Sequence, residues 1–450
     1  MTSLPVILSW GMGVDSSAEL FRFINEPECR TFDLSDLVVI TAMTGDEWPE
    51  TVALCERYML PLLNQHNIRF IQVARGGESQ KDGAVILHDS HMDGPTTKLH
   101  AWGSHKLADH LMHNGIVPYR GRNKRYCSLK FKGFPIDQVV YKIFQDSPRR
   151  RFIGYNAEEQ KRIKENLSDY RYLVGYNANE LDRIKDKSLQ VREQGYHYYL
   201  GFNSDEKDRV KDQSAAWRKQ VFEFPLIEWG WGRAKVEEYC RENAEGNNWR
   251  KSSCVFCPFS ISSGGRKLLF DGYREHPEAG ALAALIEHFA LSMNVDQTLY
   301  GTLTVPEWLE KEGLFKSLEL HHEKLANWKE WGVYAVRRIF PYPSGVIRQT
   351  NILHRGTQAE AMQYAQKLAT MMGQSLELIA HSWRFWTMPK NKDRRPSVEE
   401  MFVVCPIKVV ERQGRMSQHQ FAIKWKEITG KKPDPIVECE PEQDEQLALF

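Results

Sequence analysis

Short apolar runs separated by small or polar turns organise the first part of the chain. Pro5-Val6-Ile7-Leu8, Val38-Val39-Ile40-Thr41-Ala42-Met43 and Ile68-Arg69-Phe70-Ile71-Gln72-Val73 have the length and β-branched content of buried strands. Residues 52–65 and 133–144 carry their apolar positions at helical spacing instead. Strand and helix alternate, which predicts an open parallel sheet of the α/β class. Beyond about residue 300 the pattern changes. Residues 333–340, a helix over 358–372 and strands over 376–386 and 400–410 predict a smaller α+β domain. The expected organisation is an α/β domain over 1–265, a helical linker over 266–300, an accessory domain over 301–432 and an acidic, mobile tail over 433–450.

The turns that end the first two strands carry the candidate chemistry. Ser9-Trp10-Gly11-Met12-Gly13-Val14-Asp15-Ser16-Ser17 joins a strand to a helix. Two glycines let a backbone come close to a ligand, and a helix N-terminus offers amides and positive dipole to an anion. An ordinary strand-to-helix turn has the same composition. Thr44-Gly45-Asp46-Glu47-Trp48-Pro49-Glu50-Thr51 ends the neighbouring strand, so both loops fall on the carboxyl edge of the sheet, where such folds bind ligands. His88, His91, His100, His105, His110 and His113 crowd the next stretch. Their spacings match no metal motif, and a loop plus helix lining the cleft is the expectation.

From residue 151 one pattern occurs three times: Gly154-Tyr155-Asn156-Ala157-x-Glu159, Gly175-Tyr176-Asn177-Ala178-x-Glu180 and Gly201-Phe202-Asn203-Ser204-x-Glu206, each with an arginine three residues further on. Each copy follows a short apolar or aromatic run and opens a charged helical segment, a spacing close to one strand plus one short helix; duplicated packing units with no ligand are the plain alternative. Between these regions the chain turns basic around Cys127, with Arg120, Arg122, Lys124, Arg125, Lys130 and Lys132. Further on, Cys240 precedes Lys251-Ser252-Ser253-Cys254-Val255-Phe256-Cys257-Pro258. Cys-x-x-Cys-Pro with a third cysteine upstream favours a metal or iron–sulfur site over a redox disulfide, and a four-thiolate site makes Cys127 the natural fourth ligand. Four buried, unliganded cysteines are the plain alternative.

The motif Ser-x-Gly-x-Gly-x-Asp-Ser-Ser followed by Thr-Gly-Asp-Glu-x-Pro-Glu-Thr resembles the phosphoadenosine phosphosulfate (PAPS) reductase-like branch of the PP-loop, or adenine nucleotide alpha-hydrolase, superfamily. The resemblance covers residues 1–265. Trp10 stands where the commoner family loop has glycine. The resemblance implies that Ser9, Gly11, Gly13, Asp15, Ser16 and Ser17 grip the phosphates of ATP or PAPS with Mg2+. It also implies that Met43, Thr44 and Gly45 lie beside the adenine and that Arg120, Arg122 and Arg125 face the nucleotide. Asp15, Asp46 and Arg125 are the catalytic set expected on that basis. Cys127, Cys240, Cys254 and Cys257 resemble the pattern of a phage and bacterial four-cysteine group, which implies one 4Fe-4S cluster, with Zn2+ as the alternative.

Composition narrows the partners. Lys+Arg 60 against Asp+Glu 59 gives a net charge of +1, so any polyanion site must be a local patch. Trp383, Arg384, Trp386, Lys390, Lys392, Arg394 and Arg395 form one candidate patch for a nucleic-acid acceptor, with a solvated hairpin as the alternative. No run reaches the ~20 apolar residues of a membrane span, and eight cysteines without a secreted-scaffold spacing suggest a cytoplasmic protein. The leading expectation is an enzyme that cleaves ATP between the α and β phosphates to activate or sulfur-modify an acceptor such as a nucleic-acid base. Sulfate reduction by a thiol is a second reading, although Glu438-Cys439 keeps only part of the reductase segment. A nucleotide-sensing component of a phage or defence system is a third, and a homo-oligomer or multiprotein system stays open.

Overall fold

A computed structural model describes residues 6–101, 103–119, 125–144, 150–153, 196–200, 220–223, 225–262, 264–341, 345–391, 393, 395–411 and 418–430. The chain divides into two units, one comprising Met1–His110 and Pro118–Leu269 and the other Leu111–Val117 and Phe270–Phe450.

The first unit is built on a seven-stranded sheet in the order β4-β3-β2-β1-β5-β6-β7. Its strands are β1 (Val6–Ser9), β2 (Leu37–Ala42), β3 (Arg69–Arg75), β4 (Ala84–Asp89), β5 (Arg150–Ile153), β6 (Tyr196–Leu200) and β7 (Gln220–Glu223). All neighbours are parallel except β3 and β4. A parallel sheet is covered on both faces, which is why its strands read as unbroken apolar runs. Val6, Leu8, Val39 and Phe70 enter one core cluster, shared with α1 (Val14–Asn25). Ile7, Ile40, Ile71 and Val73 enter the other, with Ile136, Val139 and Val140 of the helix Phe134–Phe144. β1 pairs with β2 on one side and β5 on the other. The strand order therefore reverses at β1, and the loop after β1 sits at the topological switch point, where open α/β sheets bind ligands.

β4 was not expected from the sequence. It closes the sheet edge antiparallel to β3, and Arg69 holds Asp89 by a two-pronged ion pair (3.0 and 2.6 Å) across that ladder. The helix expected over 52–65 forms as Pro49–Leu54, a π-turn over Cys55–Met59 and Leu60–Gln65. Pro61 lacks the amide needed to continue a regular ladder, which accounts for the π-turn. β5 and β6 are in register to their last residues, Ile153 opposite Leu200. The first and third sequence repeats thus begin immediately after two adjacent parallel strands; the repeats themselves lie outside the described residues, as does the tail over 433–450.

The second unit carries an antiparallel sheet in the order β10-β11-β12-β8-β9. Its strands are β8 (Trp331–Phe340), β9 (Ile347–Gly356), β10 (Glu377–Ile379), β11 (Ser382–Met388) and β12 (Ser397–Pro406). The single strand expected over 376–386 is a hairpin. Ala380 and His381 turn it with φ of 49° and 62°, a two-residue geometry usually signalled by Asn-Gly and invisible in this sequence. The segment 266–300, read as a linker, contains α2 (Pro277–Met293), which is buried almost throughout. A helix apolar on all sides belongs to a core, and the division between units falls before it. Leu111–Val117 belongs to this unit because Arg348 donates to the carbonyls of Asn114 and Gly115 while the Val410 amide donates to His113.

Burial in α2 makes the stability of this unit depend on pH. Burial pushes the Glu287 carboxyl up to about 7, against the amides of Leu299 and Val305 that donate to it. Burial holds His288 down to about 3 and His321 to about 4. The unfolded chain binds two protons below about pH 6.5 that the folded histidines refuse. It also releases above about pH 4.5 one proton that folded Glu287 retains up to about 7. Stability should therefore rise by roughly 1.4 kcal/mol per pH unit between about 4.5 and 6.5, the net of two slopes against one, then fall slightly toward neutrality. Urea unfolding followed across that range tests this, and a flat profile contradicts it. In a His288→Leu variant the slope over that range should fall to about zero, because His321 alone then opposes Glu287.

Candidate functional site

The β1–α1 loop alternates between inside and outside. Trp10, Met12 and Val14 are buried, whereas Ser9, Gly11, Gly13 and Asp15 are partly exposed. Trp10 is a core residue. Its indole donates to Ser17 Oγ (2.9 Å) and its ring meets Phe70 edge-on, so it does not obstruct the loop. Ser17 is fully buried, and Ser16 Oγ closes the loop by accepting from the Gly11 amide (3.3 Å) and donating to the Gly13 carbonyl (3.4 Å). Both hydroxyls therefore shape the loop from within rather than face a ligand.

The glycines play unequal parts. Gly11 is open, since a Cβ there would meet only Ser16 Oγ at 3.9 Å. At Gly13 a Cβ would lie 3.0 Å from the Ser252 amide nitrogen, so the close neighbour is the chain itself. The left-handed residue is Met12, with φ of 62°, and Trp249 fixes its carbonyl by an indole hydrogen bond (2.9 Å). Among the described residues no side-chain cap bond closes the N-terminus of α1, whose N-cap is Gly13, and a helix N-terminus favours an anion. Asp15 sits in that turn and takes a two-pronged ion pair from Arg233 (2.9 and 3.1 Å).

Beside it, the loop after β2 is tied to two later segments. The Met43 amide extends the ladder to the Val73 carbonyl and its side chain is buried in the core, so Met43 offers no side chain to a ligand. The Thr44 carbonyl and the Asp46 carboxylate accept from the Leu107 and Ala108 amides (both 3.0 Å), anchoring the helix Leu107–Asn114. Gly45, at φ of 92°, lies so close to Lys106 that a Cβ would come within 2.8 Å of its side chain. Burial pushes the Asp46 carboxyl up to about 7, although the Ala108 amide and Lys106 oppose it. Glu47 accepts from Ser252 Oγ and the Ser253 amide (both 2.8 Å), and Val255 donates to the Asp46 carbonyl (2.8 Å). Lys132 reaches the same Ser252 hydroxyl at 3.3 Å.

These bonds bring the cysteine segment to the β2 loop. Cys254 Sγ lies 3.6 Å from Thr44 Oγ1. Burial first, and then the neighbouring Cys257, push the Cys127 thiol up; burial and Asp46 push up Cys254, on which Cys257 also acts. Cys127, Cys254 and Cys257 thus share one neighbourhood. Cys240 is elsewhere in the unit's core: its thiol donates to the Val14 carbonyl (3.3 Å), and Asp15, Arg233 and Glu237 are the charges acting on it. A tetrahedral zinc with ~2.3 Å bonds sets sulfurs about 3.8 Å apart. Among the described residues no three of these cysteines approach within 4.8 Å of one another, so a closed zinc site would require the side chains to move. A 4Fe-4S cluster sets a wider spacing of about 6–7 Å. Arg125 precedes Cys127 and lies over the Phe259 ring at 4.3 Å, whereas Arg120 and Arg122 fall outside the described residues.

Family models, curated proteins and solved structures give no match to this chain. Among the described residues no helix is long and apolar enough to cross a membrane.

Sequence reasoning left Glu47, Ser252, Arg233 and Trp249 without a role. Glu47 had a signal, an acidic residue in a Gly-Asp-Glu turn at the carboxyl end of a strand. Arg233 and Trp249 had none, because their partners lie more than two hundred residues away. The histidine-rich stretch also resolves: His105 and His110 converge on Glu78. In the second unit, the aromatic-basic patch is divided. Arg384 is fully buried and donates to the Leu291 and Ser292 carbonyls at the end of α2. It is a helix cap rather than a phosphate contact. Lys392 and Arg394 lie outside the described residues.

Proposed function

We propose that the first unit is a PP-loop-type enzyme that binds an adenine nucleotide on the β1–α1 loop and cleaves ATP between the α and β phosphates. The supporting observation is the position of an uncapped twelve-residue helix N-terminus at the switch point of the parallel sheet. Gly11 leaves room for a phosphate there, and Asp15 is the carboxylate that would hold Mg2+, an ion commonly bound by one or two carboxylates plus substrate phosphates. Mg2+ would neutralise phosphate charge. An acceptor oxygen, such as that of a nucleobase carbonyl, attacks the α-phosphorus; the α–β oxygen bond breaks and pyrophosphate leaves with the electron pair. Asp46, whose carboxyl is raised to about 7, is suited to hold or release a proton near neutral pH. Arg125 adds positive charge. Cys127, Cys254 and Cys257 would hold an iron–sulfur cluster, which supplies redox or sulfur chemistry when bound. Cys240 would have to give up its bond to the Val14 carbonyl to become a fourth ligand.

Purified protein incubated with ATP or PAPS should release pyrophosphate from ATP. Sulfite from PAPS would favour a reductase instead, and binding without turnover a sensor. Asp15→Ala should weaken ATP binding at least tenfold, about 1.4 kcal/mol, because it removes the loop's one carboxylate, the group that would hold Mg2+. Unchanged affinity in folded Asp15→Ala protein would remove this loop from the site.

A further inference from the structure

We propose that Glu78, His105 and His110 form a second metal site, specific for a divalent ion of the zinc class, at the carboxyl end of β3. Glu78 Oε1 lies 2.9 Å from His110 Nδ1 and Glu78 Oε2 lies 3.2 Å from His105 Nε2. The two ring nitrogens are 3.5 Å apart. A tetrahedral ion with bonds of ~2.0–2.1 Å sets its donor atoms about 3.3 Å apart. The two ring nitrogens stand close to that separation, and with one Glu78 oxygen they make three donor atoms that lie within 4.8 Å of one another.

The site is built rather than accidental. Arg75 fixes the turn that carries Glu78, donating to the Gly77 and Glu78 carbonyls (2.7 and 2.6 Å). Ser104 Oγ donates to the Gly76 carbonyl (2.8 Å), tying the approach to His105 to the same turn. Gly77 is required there, because a Cβ would fall 2.4 Å from Asp82 Oδ2. Thr44 and Asp46 anchor the helix that carries His110. Phe131 forms an apolar wall, stacked on His105 and edge-on to His110 (centroids 5.7 and 5.3 Å).

Both histidines are buried while the Glu78 side chain is 46% exposed, so the site opens on one side. Two imidazoles and one carboxylate suit zinc and its first-row neighbours rather than calcium or magnesium. Three protein ligands leave a position for water or for an oxygen atom of a substrate, as in catalytic rather than structural sites.

The test uses the full chain, stripped with a chelator and titrated anaerobically with Co2+ and then Zn2+. One equivalent of Co2+ should give d–d absorption without a thiolate charge-transfer band, and Zn2+ should displace it. The signal should persist in a Cys127→Ser, Cys254→Ser double variant. Glu78→Gln and His110→Asn should each weaken it at least tenfold. Glu78→Gln alters an exposed side chain and keeps the hydrogen-bonding shape, so it decides alone if His110→Asn does not fold. Absence of a sulfur-free Co2+ signal, or one unchanged in Glu78→Gln, overturns the site whatever the outcome of the ATP assay.

Discussion

Glu47→Ala is expected to destabilise the first unit by about 3 kcal/mol and to detach the cysteine segment from the sheet. Glu47 accepts from both Ser252 Oγ and the Ser253 amide, and it offsets Lys132, which approaches the same hydroxyl. Removing the carboxylate strands an amide and a lysine in a poorly solvated place. Breaking one partner of a buried pair costs roughly 3–5 kcal/mol; Glu47 keeps some exposure, which puts the effect at the lower end. The segment from Ser252 to Cys257 would lose two of its bonds to the β2 loop, keeping the Val255 amide to the Asp46 carbonyl. The measurements are the urea midpoint and the alkylation rate of Cys254. A folded variant with wild-type stability and an unreactive Cys254 would show that Glu47 is not the joint between these segments.

This joint marks the limit of what the sequence made legible. The strands at β1, β2 and β3 were readable because a parallel strand covered on both faces must be apolar throughout. Both loops were readable because the pattern places them at one edge. The division of labour inside the first loop was not. The family resemblance implies that Ser16 and Ser17 contact phosphate, yet the buried Trp10 indole draws the Ser17 hydroxyl inward. Gly13 is spent on the chain's own Ser252, a contact separated by more than two hundred residues. Cysteine spacing grouped Cys254 with Cys257, and the need for a fourth thiolate pointed to Cys127, on which Cys257 acts; Cys240 finds its partner in the Val14 carbonyl. Histidine spacing gave no motif because the third donor, Glu78, comes from a different loop.

In the second unit the unreadable feature was charge. Trp383 through Arg395 alternates aromatic and basic residues, and a strand sends alternate side chains to opposite faces. Arg384 consequently points into the core while Trp383 stays exposed. Arg337 and Arg338 are likewise buried, because β12 places Glu400 and Glu399 directly opposite them. In one dimension such residues resemble a basic surface; in the sheet they are consumed by cross-strand pairs.

That pairing supports the largest stability effect expected in the protein. Glu399→Ala should cost about 3–5 kcal/mol, because it leaves the Arg338 guanidinium buried without its charge partner. Both side chains are about 5% exposed or less, so water cannot take the place of the carboxylate. Glu399 also accepts from the Trp386 indole (3.2 Å), which links β11 to the same pair and leaves a second donor unsatisfied in the variant. Glu400 makes the parallel arrangement with Arg337 (2.5 Å) and Thr387 (2.6 Å) one step along the ladder. Removing both members tests the origin of the cost. If it comes from an uncompensated charge, the double variant Arg338→Met, Glu399→Leu should recover most of the loss, since apolar replacement of a buried pair is often neutral. Urea unfolding of the single and double variants measures the coupling. A single variant within about 1 kcal/mol of the native protein, the range of a surface pair, would mean that water reaches Arg338 and that the β8–β12 charges lie closer to solvent than their burial indicates.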